Sequence, residues 1–360
     1  MNNSQLIEIA KCGGCGANLI FSPARGQLFC QHCQSSLQVR GAGQAVNLPL
    51  NTLNQTAAWT QETHTYECKS CGASEILNKT EMATTCAFCG TNNIVEKETI
   101  KGLRPNAVVP FKIDLDKAAL IAKKWFKKRF FAPNAFKQCA TPKEVKGVYY
   151  PAFCFNAATM SQFRGVLVQV TTRTIMVNGK PSVVIDENRF PIQGNMPRLF
   201  TDVLIQACDS FRPKTVRKML PFSINNMPSY NPDYLFGFVA SQHTKSGGKA
   251  WGEARRVMDE QIKKQILSGY TYSRVESFHV QTQTRGETYK YTLLPVYVGH
   301  CKYKDKLYNF YLNGENGKID ASAPVSALKV LLTVLFPIGL LALLGSGVVK
   351  LFKKIFKKRK

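Results

Sequence analysis

Cys12-Gly13-Gly14-Cys15 and Cys30-Gln31-His32-Cys33 open the chain, and Cys68-Lys69-Ser70-Cys71 and Cys86-Ala87-Phe88-Cys89 repeat the arrangement. In each copy, fourteen residues separate the two Cys-x-x-Cys pairs. A Cys-x-x-Cys turn places two sulfurs on one metal ion, and a hairpin of this length brings the second pair across from the first. The repeat therefore predicts two Cys₄ zinc ribbons, each holding one Zn²⁺.

The predicted metal ligands are the eight cysteines of these motifs: Cys12, Cys15, Cys30, Cys33, Cys68, Cys71, Cys86 and Cys89. Because the protein fills all four positions of a tetrahedral ion, both zinc ions are predicted to be structural rather than catalytic. Iron in a rubredoxin-like site and a redox-active cysteine pair are the alternatives, but two equal sets of four cysteines suit no single dithiol pair. Gly16, Gly72 and Gly90 follow paired cysteines, where such a turn often requires a positive φ.

The composition indicates a folded domain behind the ribbons. A chain of 360 residues with 44% hydrophobic residues has room for two or three domains with a real core. The other cysteines, Cys139, Cys154, Cys208 and Cys301, show no pairing pattern and are interpreted as free thiols. The N-terminus shows no signal peptide, and Cys₄ sites need reduced thiols, so the ribbons are expected in the cytoplasm.

The net charge of +25 is distributed unevenly along the chain. Residues 1–100 carry six basic and seven acidic residues, whereas residues 350–360 carry seven basic residues and no acid. A ribbon that binds nucleic acid is expected to carry the positive charge itself. The ribbons therefore favour a protein partner, and nucleic-acid binding through the basic middle of the chain is the alternative function.

The order of these segments predicts an α+β protein in which two small Cys₄ ribbons precede a mixed domain. The predicted segments are zinc ribbon 1 at 8–40, a linker at 41–63, zinc ribbon 2 at 64–98, the α+β domain at 101–324, a transmembrane or re-entrant segment at 327–349 and a basic amphipathic tail at 350–360.

In the α+β domain, helices are predicted from the N-cap Asp114 to Phe131 and over Glu253–Leu267. The turn Asn178-Gly179 predicts a hairpin between strands at 164–177 and 182–192, with further strands at 289–298 and 307–312. Similar proline-containing motifs before and after each helix indicate two related halves.

Residues 330–349 read VLLTVLFPIGLLALLGSGVV and contain no charged residue. As a helix they would span about 30 Å, the thickness of a bilayer's hydrocarbon core. A buried helix of a soluble domain is the alternative. A straight span would place one end outside without a signal peptide, so we favour a re-entrant insertion that bends at Pro337 and keeps both ends in the cytoplasm.

The tail that follows is basic and amphipathic. On a helix, the apolar residues Leu351, Phe352, Ile355 and Phe356 lie opposite the basic residues Lys350, Lys353, Lys354, Lys357 and Lys358. This pattern is typical of helices that bind an anionic lipid surface. A calmodulin-like target helix and a nucleic-acid-binding tail have a similar composition.

Several motifs follow the ribbons in a characteristic order. They are VVPFKID at 108–114, APNAFK at 132–137, KGVYYPAF at 146–153, YTLLPVY at 291–297 and KLYNFYLNGENGKI at 306–319. In this combination the chain resembles the YdjG-type bacterial family of membrane-anchored double-zinc-ribbon proteins, which includes sequences described as TFIIB-type zinc ribbon-containing. The resemblance implies the bacterial cytoplasmic (inner) membrane, ribbons that face the cytoplasm, and an envelope-stress module with phage-shock-protein-A-like or SPFH-like partners.

No set of catalytic residues accompanies the ribbons in the sequence. The stretch Ser246-Gly247-Gly248-Lys249-Ala250 does not complete a phosphate-binding loop, and the five histidines are scattered without an H-E-x-x-H motif. The sequence therefore predicts a non-enzymatic adaptor on the cytoplasmic membrane face that holds two structural Zn²⁺ and contacts anionic lipid and a protein partner. An enzyme of unrecognised type would need a cleft that the sequence does not reveal.

Overall fold

Three very long strands dominate the part of the chain that the structure describes. The structure is a computed structural model, and it describes residues 11–40, 43–53, 63–78, 86–88, 91, 94–97, 103–138, 145–208, 213–303 and 306–333. The long strands are β9 (Val145–Val177), β10 (Lys180–Gln206) and β12 (Arg274–Tyr303). Their lengths are 33, 27 and 30 residues, far beyond an ordinary strand of about 5–6 residues.

The remaining described elements are shorter. The first ribbon contains β1 (Leu19–Ser22), β2 (Gln27–Cys30) and β3 (Ser36–Leu37), and the segment after it contains β4 (Leu48–Pro49). The second ribbon contains β5 (Thr63–Cys68), β6 (Ser74–Asn78) and β7 (Ile94–Lys97). The rest are β8 (Ala107–Val108), α1 (Leu115–Lys127), α2 (Pro213–Met219), β11 (Val239–Ser241), α3 (Gly247–Ser268), β13 (Lys306–Asn313) and β14 (Ile319–Ala321).

The described strands form two sheets. Strands β1, β2 and β3 form a small antiparallel sheet, and the others form one large sheet in the order β14-β13-β12-β9-β11-β6-β5-β7. Strand β10 pairs with β9, while β4 and β8 pair with β12. The strands of the second ribbon are thus part of the same sheet as the long central strands.

The described residues are mostly β-sheet with few helices. The α+β prediction is therefore correct in that both kinds of element occur, but it underestimates the share of β-sheet. The reason lies in β9, where every residue from Val148 to Phe155 is buried. A strand buried on both faces loses the alternation of apolar and polar residues that marks a strand in a sequence. The predicted hairpin strands at 164–177 and 182–192 therefore capture only the half-exposed parts of β9 and β10.

The centre of the large sheet is an antiparallel pair of β9 and β12, in which Tyr150 faces Leu294. Strand β8, which precedes α1, pairs in parallel with β12 at Thr292 and Leu293. Strand β11, which precedes α3, pairs in parallel with β9 at Val148 and Tyr149. The order short strand, helix, long strand therefore occurs twice, first as β8, α1 and β9 and then as β11, α3 and β12. The short strand of each unit pairs with the long strand of the other unit.

Two helices and one turn follow the sequence signals closely. The Asp114 side chain accepts a hydrogen bond from the Lys117 backbone N–H (2.8 Å) and caps α1, which ends at Lys127 rather than Phe131. Helix α3 begins at Gly247, six residues before the predicted start, because the Ser246 side chain caps its first turn. This turn contains Gly247 and Gly248, and the low helix propensity of glycine is why the sequence does not indicate it. Asn178 and Gly179 both have positive φ (50° and 76°), as a two-residue hairpin turn requires.

Part of the predicted linker is docked on the large sheet. Leu48 and Pro49 of β4 pair with Tyr289 and Thr288 of β12. Leu53 is buried in the apolar cluster beneath α3. Short apolar residues spaced along a polar segment thus make contacts that the local composition does not reveal.

The C-terminal predictions fall largely outside the described residues. Residues 327–333 are helical, and the chain is described no further. Residues 334–360, which contain most of the apolar segment and all the predicted lipid-binding residues of the tail, lie outside the described part. Within the described ranges, no helix combines the length and the apolar character needed to cross a membrane.

Candidate metal centre

The four cysteines of the first ribbon converge on one point. The Sγ atoms of Cys12, Cys15, Cys30 and Cys33 all lie within 4.8 Å of one another. The closest pairs are Cys12 with Cys33 at 3.3 Å and Cys15 with Cys30 at 3.6 Å. Sulfurs of a tetrahedral Zn(Cys)₄ centre lie about 3.8 Å apart, given Zn–S bonds of about 2.3 Å. The cluster therefore fits a metal ion with small adjustments.

Each cysteine pair sits on a tight backbone turn. The Gly16 N–H donates to the Cys12 carbonyl at 2.8 Å, and the Gln34 N–H donates to the Cys30 carbonyl at 2.9 Å. Gly16 has φ 71°, and Gln34 takes the same conformation with φ 63°. A glycine follows each of the other cysteine pairs, but Gln34 takes this place after Cys30 and Cys33. It is a non-glycine residue in a conformation that usually favours glycine.

Ser35 contacts the cysteine cluster from a position that the cysteine spacing does not predict. Its Oγ lies 3.0 Å from Cys12 Sγ and 3.2 Å from Cys33 Sγ. Hydrogen bonds from Ser35 and then from Cys33 lower the pKa of Cys12 to about 6. The hydroxyl of Ser35 is also the largest cause that lowers the pKa of Cys33. Because the thiolate is the metal-binding form, a hydroxyl at this position favours the form in which Cys12 or Cys33 binds a metal ion.

The second ribbon repeats this arrangement in its described residues. Cys68, Cys71 and Cys86 converge within 4.8 Å, and the Sγ atoms of Cys71 and Cys86 are 3.7 Å apart. Gly72 has φ 74° and donates its N–H to the Cys68 carbonyl at 2.9 Å. The predicted fourth ligand, Cys89, lies outside the described residues, as does Gly90.

Thr91 occupies the place in the second ribbon that Ser35 occupies in the first. Thr91 Oγ1 lies 3.4 Å from Cys68 Sγ. Both hydroxyl residues stand two positions after the last cysteine of their motif, in Cys33-Gln34-Ser35 and Cys89-Gly90-Thr91. A comparison of the two copies beyond their cysteines is the signal that identifies this pair from sequence.

Glu75 holds the second cysteine turn of this ribbon against the large sheet. Its carboxylate accepts a hydrogen bond from the Ala87 N–H at 2.6 Å, and the side chain is buried. Burial raises the pKa of Glu75, while the Ala87 N–H and the Cys86 thiol act in the opposite direction. The carboxylate thus orients the loop that carries Cys86, in the manner of groups that support metal ligands from outside.

The first ribbon is joined to the large sheet through its own apolar core. Phe21 contacts Tyr234 edge-on with ring centroids 5.2 Å apart, and its N–H donates to the Phe236 carbonyl at 3.0 Å. Cys12 and Cys30 belong to the same buried cluster as Phe111 and Tyr149 of the main domain. The first cysteine cluster is therefore packed directly against the domain behind it.

Short β-hairpins that bring cysteine clusters together define a zinc-ribbon protein with a metal-binding centre. In agreement, residues 8–39 match a family of zinc ribbon domains. The chain is also similar to the uncharacterized protein YdjG of Bacillus subtilis (strain 168), with 26% identity over 324 residues, which cover 89% of this chain and 91% of the relative. No solved structure matches the chain. The zinc-ribbon prediction is thus confirmed for the N-terminal ribbon, and the distant relative extends the similarity across the main domain.

Proposed function

We propose that the chain is a non-enzymatic, membrane-associated zinc-ribbon adaptor at the cytoplasmic face of a bacterial membrane. Two structural zinc ions would stabilise its ribbons. One end of the molecule would contact anionic lipid, and the other would bind a protein partner of an envelope-stress or membrane-stress module. The observation that carries this proposal is a basic and apolar surface at the point where the chain enters its long apolar segment.

This surface, called here the basal platform, combines exposed apolar side chains with cations. Its apolar residues are Phe130, Phe131, Val325, Leu328, Leu331 and Leu332, all exposed. Its exposed cations are Lys123, Lys124, Lys127, Lys128 and Arg129 at the C-terminal end of α1. Neither residues 123–137 nor residues 322–333 contain an acidic residue. Exposed aromatics next to cations at the end of one helix are suited to the boundary of an anionic lipid surface.

Hydrogen bonds hold the two segments of the basal platform together. The Lys329 ammonium donates to the carbonyls of Phe130 (3.2 Å) and Ala132 (2.8 Å) and to Asn134 Oδ1 (3.1 Å). The Ser326 N–H donates to the Phe131 carbonyl at 2.8 Å. The start of the C-terminal helical segment is thereby fixed beside α1.

The opposite end of α1 faces the ribbons. A cleft of about 600 Å³ is lined there by Ile20 and Phe29 of the first ribbon, Glu75 of the second ribbon, and Asp114 and Asp116 at the start of α1. Thirteen helical residues span about 20 Å between this cleft and the basal platform. Contact with lipid at one end would leave the cleft accessible to a segment of a protein partner.

Nucleic-acid binding is the competing function, because phosphates would also be attracted to the cations of the basal platform. The two functions differ in the role of the exposed apolar residues. An exposed aromatic such as Phe130 also suits the stacking of single-stranded bases, but Leu328, Leu331 and Leu332 contribute little to a nucleic-acid surface, whereas insertion at a lipid interface buries them. The exposed apolar side chains therefore favour lipid.

Charge reversal on the basal platform tests the proposal. The full-length variant Lys127→Glu/Lys128→Glu is expected to bind vesicles of phosphatidylglycerol and phosphatidylcholine about tenfold more weakly or worse, since each surface cation contributes about 1 kcal/mol near anionic lipid. Flotation of the protein with vesicles at physiological ionic strength measures the effect.

The matched control is Lys263→Glu/Lys264→Glu, which makes the same charge change at exposed positions of α3. This control is expected to bind vesicles like the unaltered protein. An equal loss in both variants, or no loss in either, would contradict a lipid-facing basal platform. Tight binding of duplex DNA that only the Lys127 and Lys128 variant loses would favour the nucleic-acid alternative.

A further inference from the structure

The end of the long β9–β10 hairpin projects beyond β12 and leaves one strand edge open. Strand β12 begins at Arg274, opposite Val168 of β9. One further contact follows, because the Val170 N–H donates to Ser273 Oγ at 3.0 Å. From residue 171 to residue 177, β9 is paired on its other side with β10, and no described strand pairs with it on this side.

The two-residue turn determines which backbone groups line this open edge. Val177 and Lys180 close the turn and face each other across the hairpin. In such a hairpin the closing pair is hydrogen-bonded, and alternate residues point their N–H and C=O groups outward. The outward residues of the open edge are therefore Thr172, Thr174 and Met176, continuing from Val170, whose N–H already points to Ser273.

The other edges of this arm are protected against pairing. Pro181, Pro191 and Pro197 lie at odd-numbered positions of β10, whose backbone groups point away from β9. Proline has no N–H to donate, so the outer edge of β10 is a poor template for another strand. The outer edge of β12 is interrupted by irregularities between Val275 and Ser277 and between Arg285 and Thr288.

The open edge has the opposite character. Residues 171–177 read TTRTIMV, contain no proline or glycine, and are rich in side chains that favour strands. Their single charge, Arg173, is paired within the hairpin to Asp186, with Nε and Oδ2 2.9 Å apart. Ile175, Met176 and Val177 are exposed, as are Val183 and Ile185 on the neighbouring strand. An unprotected edge with exposed apolar side chains is expected to add a strand.

The register of this edge fits a second copy of itself. If two copies run antiparallel about Thr174, Thr174 faces Thr174 of the partner and each Thr172 faces a Met176. All three outward residues then meet outward residues, which would form about six hydrogen bonds. The turn of the partner's hairpin would then lie next to the first residues of β12. The added strand would therefore cover the open edge along its whole length.

We infer that residues 171–177 of β9 form a self-association edge, through which two copies of the chain pair their hairpins into one continuous sheet. This dimer would place two basal platforms and two sets of ribbons in one assembly. It does not depend on lipid contact, and vesicle binding can be measured separately for each variant. The partner is a second copy rather than an unrelated strand because the edge is complementary to itself.

Substitution of Thr174, at the centre of the edge, tests this inference. In full-length protein held in detergent, Thr174→Pro removes an outward N–H without removing a β9–β10 hydrogen bond, and it is expected to raise the dimer dissociation constant about tenfold or more. Analytical ultracentrifugation over a concentration series measures this constant. The matched control is Val183→Pro, which lies opposite Thr174 and places the same change on the outward side of β10.

The control is expected to dimerise like the unaltered protein, which also shows that proline in the hairpin is tolerated. A monomer at all concentrations up to the high-micromolar range would overturn the inference. So would a dimer that Thr174→Pro leaves intact, or equal weakening by both substitutions. Binding of a foreign peptide at this edge in a chain that stays monomeric would likewise exclude the second copy as its occupant.

Discussion

The substitution Cys30→Ser is expected to remove one zinc equivalent and to destabilise far more of the protein than the first ribbon. Cys30 is fully buried, and its Sγ atom is one of four predicted ligand atoms that lie within 4.8 Å of one another. Structural zinc contributes on the order of 10 kcal/mol to small ribbons, so a site with three ligands is not expected to fold. Phe21 would then leave Tyr234 and Phe236, and the apolar surface beneath the ribbon would be exposed.

Metal analysis and hydrogen exchange measure this outcome together. Zinc per chain is expected to fall from about two equivalents to about one, and amides near residues 234–238 are expected to lose protection along with those of β1 and β2. Cys154→Ala is the control, because Cys154 is also buried but lies outside both cysteine clusters. Full zinc content in the Cys30→Ser variant would contradict the assigned ligand set.

The substitution Phe111→Ala is expected to cost about 3–5 kcal/mol of the free energy of unfolding. The ring of Phe111 is buried, stacks on Phe238 with centroids 4.2 Å apart, and contacts Tyr149 and Tyr297 at 4.9 and 4.8 Å. A Cβ atom at Gly314 would overlap this ring, so the backbone there is closely fitted to it. Truncation leaves a cavity that rigid aromatic neighbours cannot fill.

Urea unfolding of the full-length protein in detergent measures the loss as a shift of the midpoint. Phe130→Ala is the matched control, because Phe130 is 66% exposed and is expected to change stability by only about 0.5 kcal/mol or less. A Phe111→Ala variant with the midpoint of the unaltered protein would contradict the packing described here. Phe238 also lies 6.4 Å from the ring of Phe21 in the first ribbon, so this result would argue against close packing of the ribbon on the large sheet as well.

Local signals in the sequence predict the features that depend on neighbouring residues. The spacing of Cys12, Cys15, Cys30 and Cys33 predicts a cluster that the structure brings together, because a hairpin forms the site from one short segment. Asp114 and the Asn178-Gly179 turn act within a few residues of themselves. For the same reason, the start of α1 and the tip of the hairpin are predicted at the correct positions.

Features that depend on distant partners are not visible in the sequence. The buried run from Val148 to Phe155 has no alternation, so β9 is far longer than its predicted strand. The basal platform forms only because Ser326 and Lys329 fold back on α1, a contact across almost two hundred residues. Ser35 and Thr91 are a separate case, because neither residue type marks a metal site by itself and only a comparison of the two copies identifies the pair.

The location of the protein in the cell tests the proposed adaptor most directly. Bacterial protoplasts that contain the full-length chain with an N-terminal epitope are treated with external protease, before and after permeabilisation, and the membranes are then collected. The chain is expected to sediment with the membranes at high salt, and the epitope is expected to be digested only after permeabilisation. Recovery of the chain in the soluble fraction, or digestion of the epitope in intact protoplasts, would contradict a zinc-ribbon adaptor on the cytoplasmic membrane face.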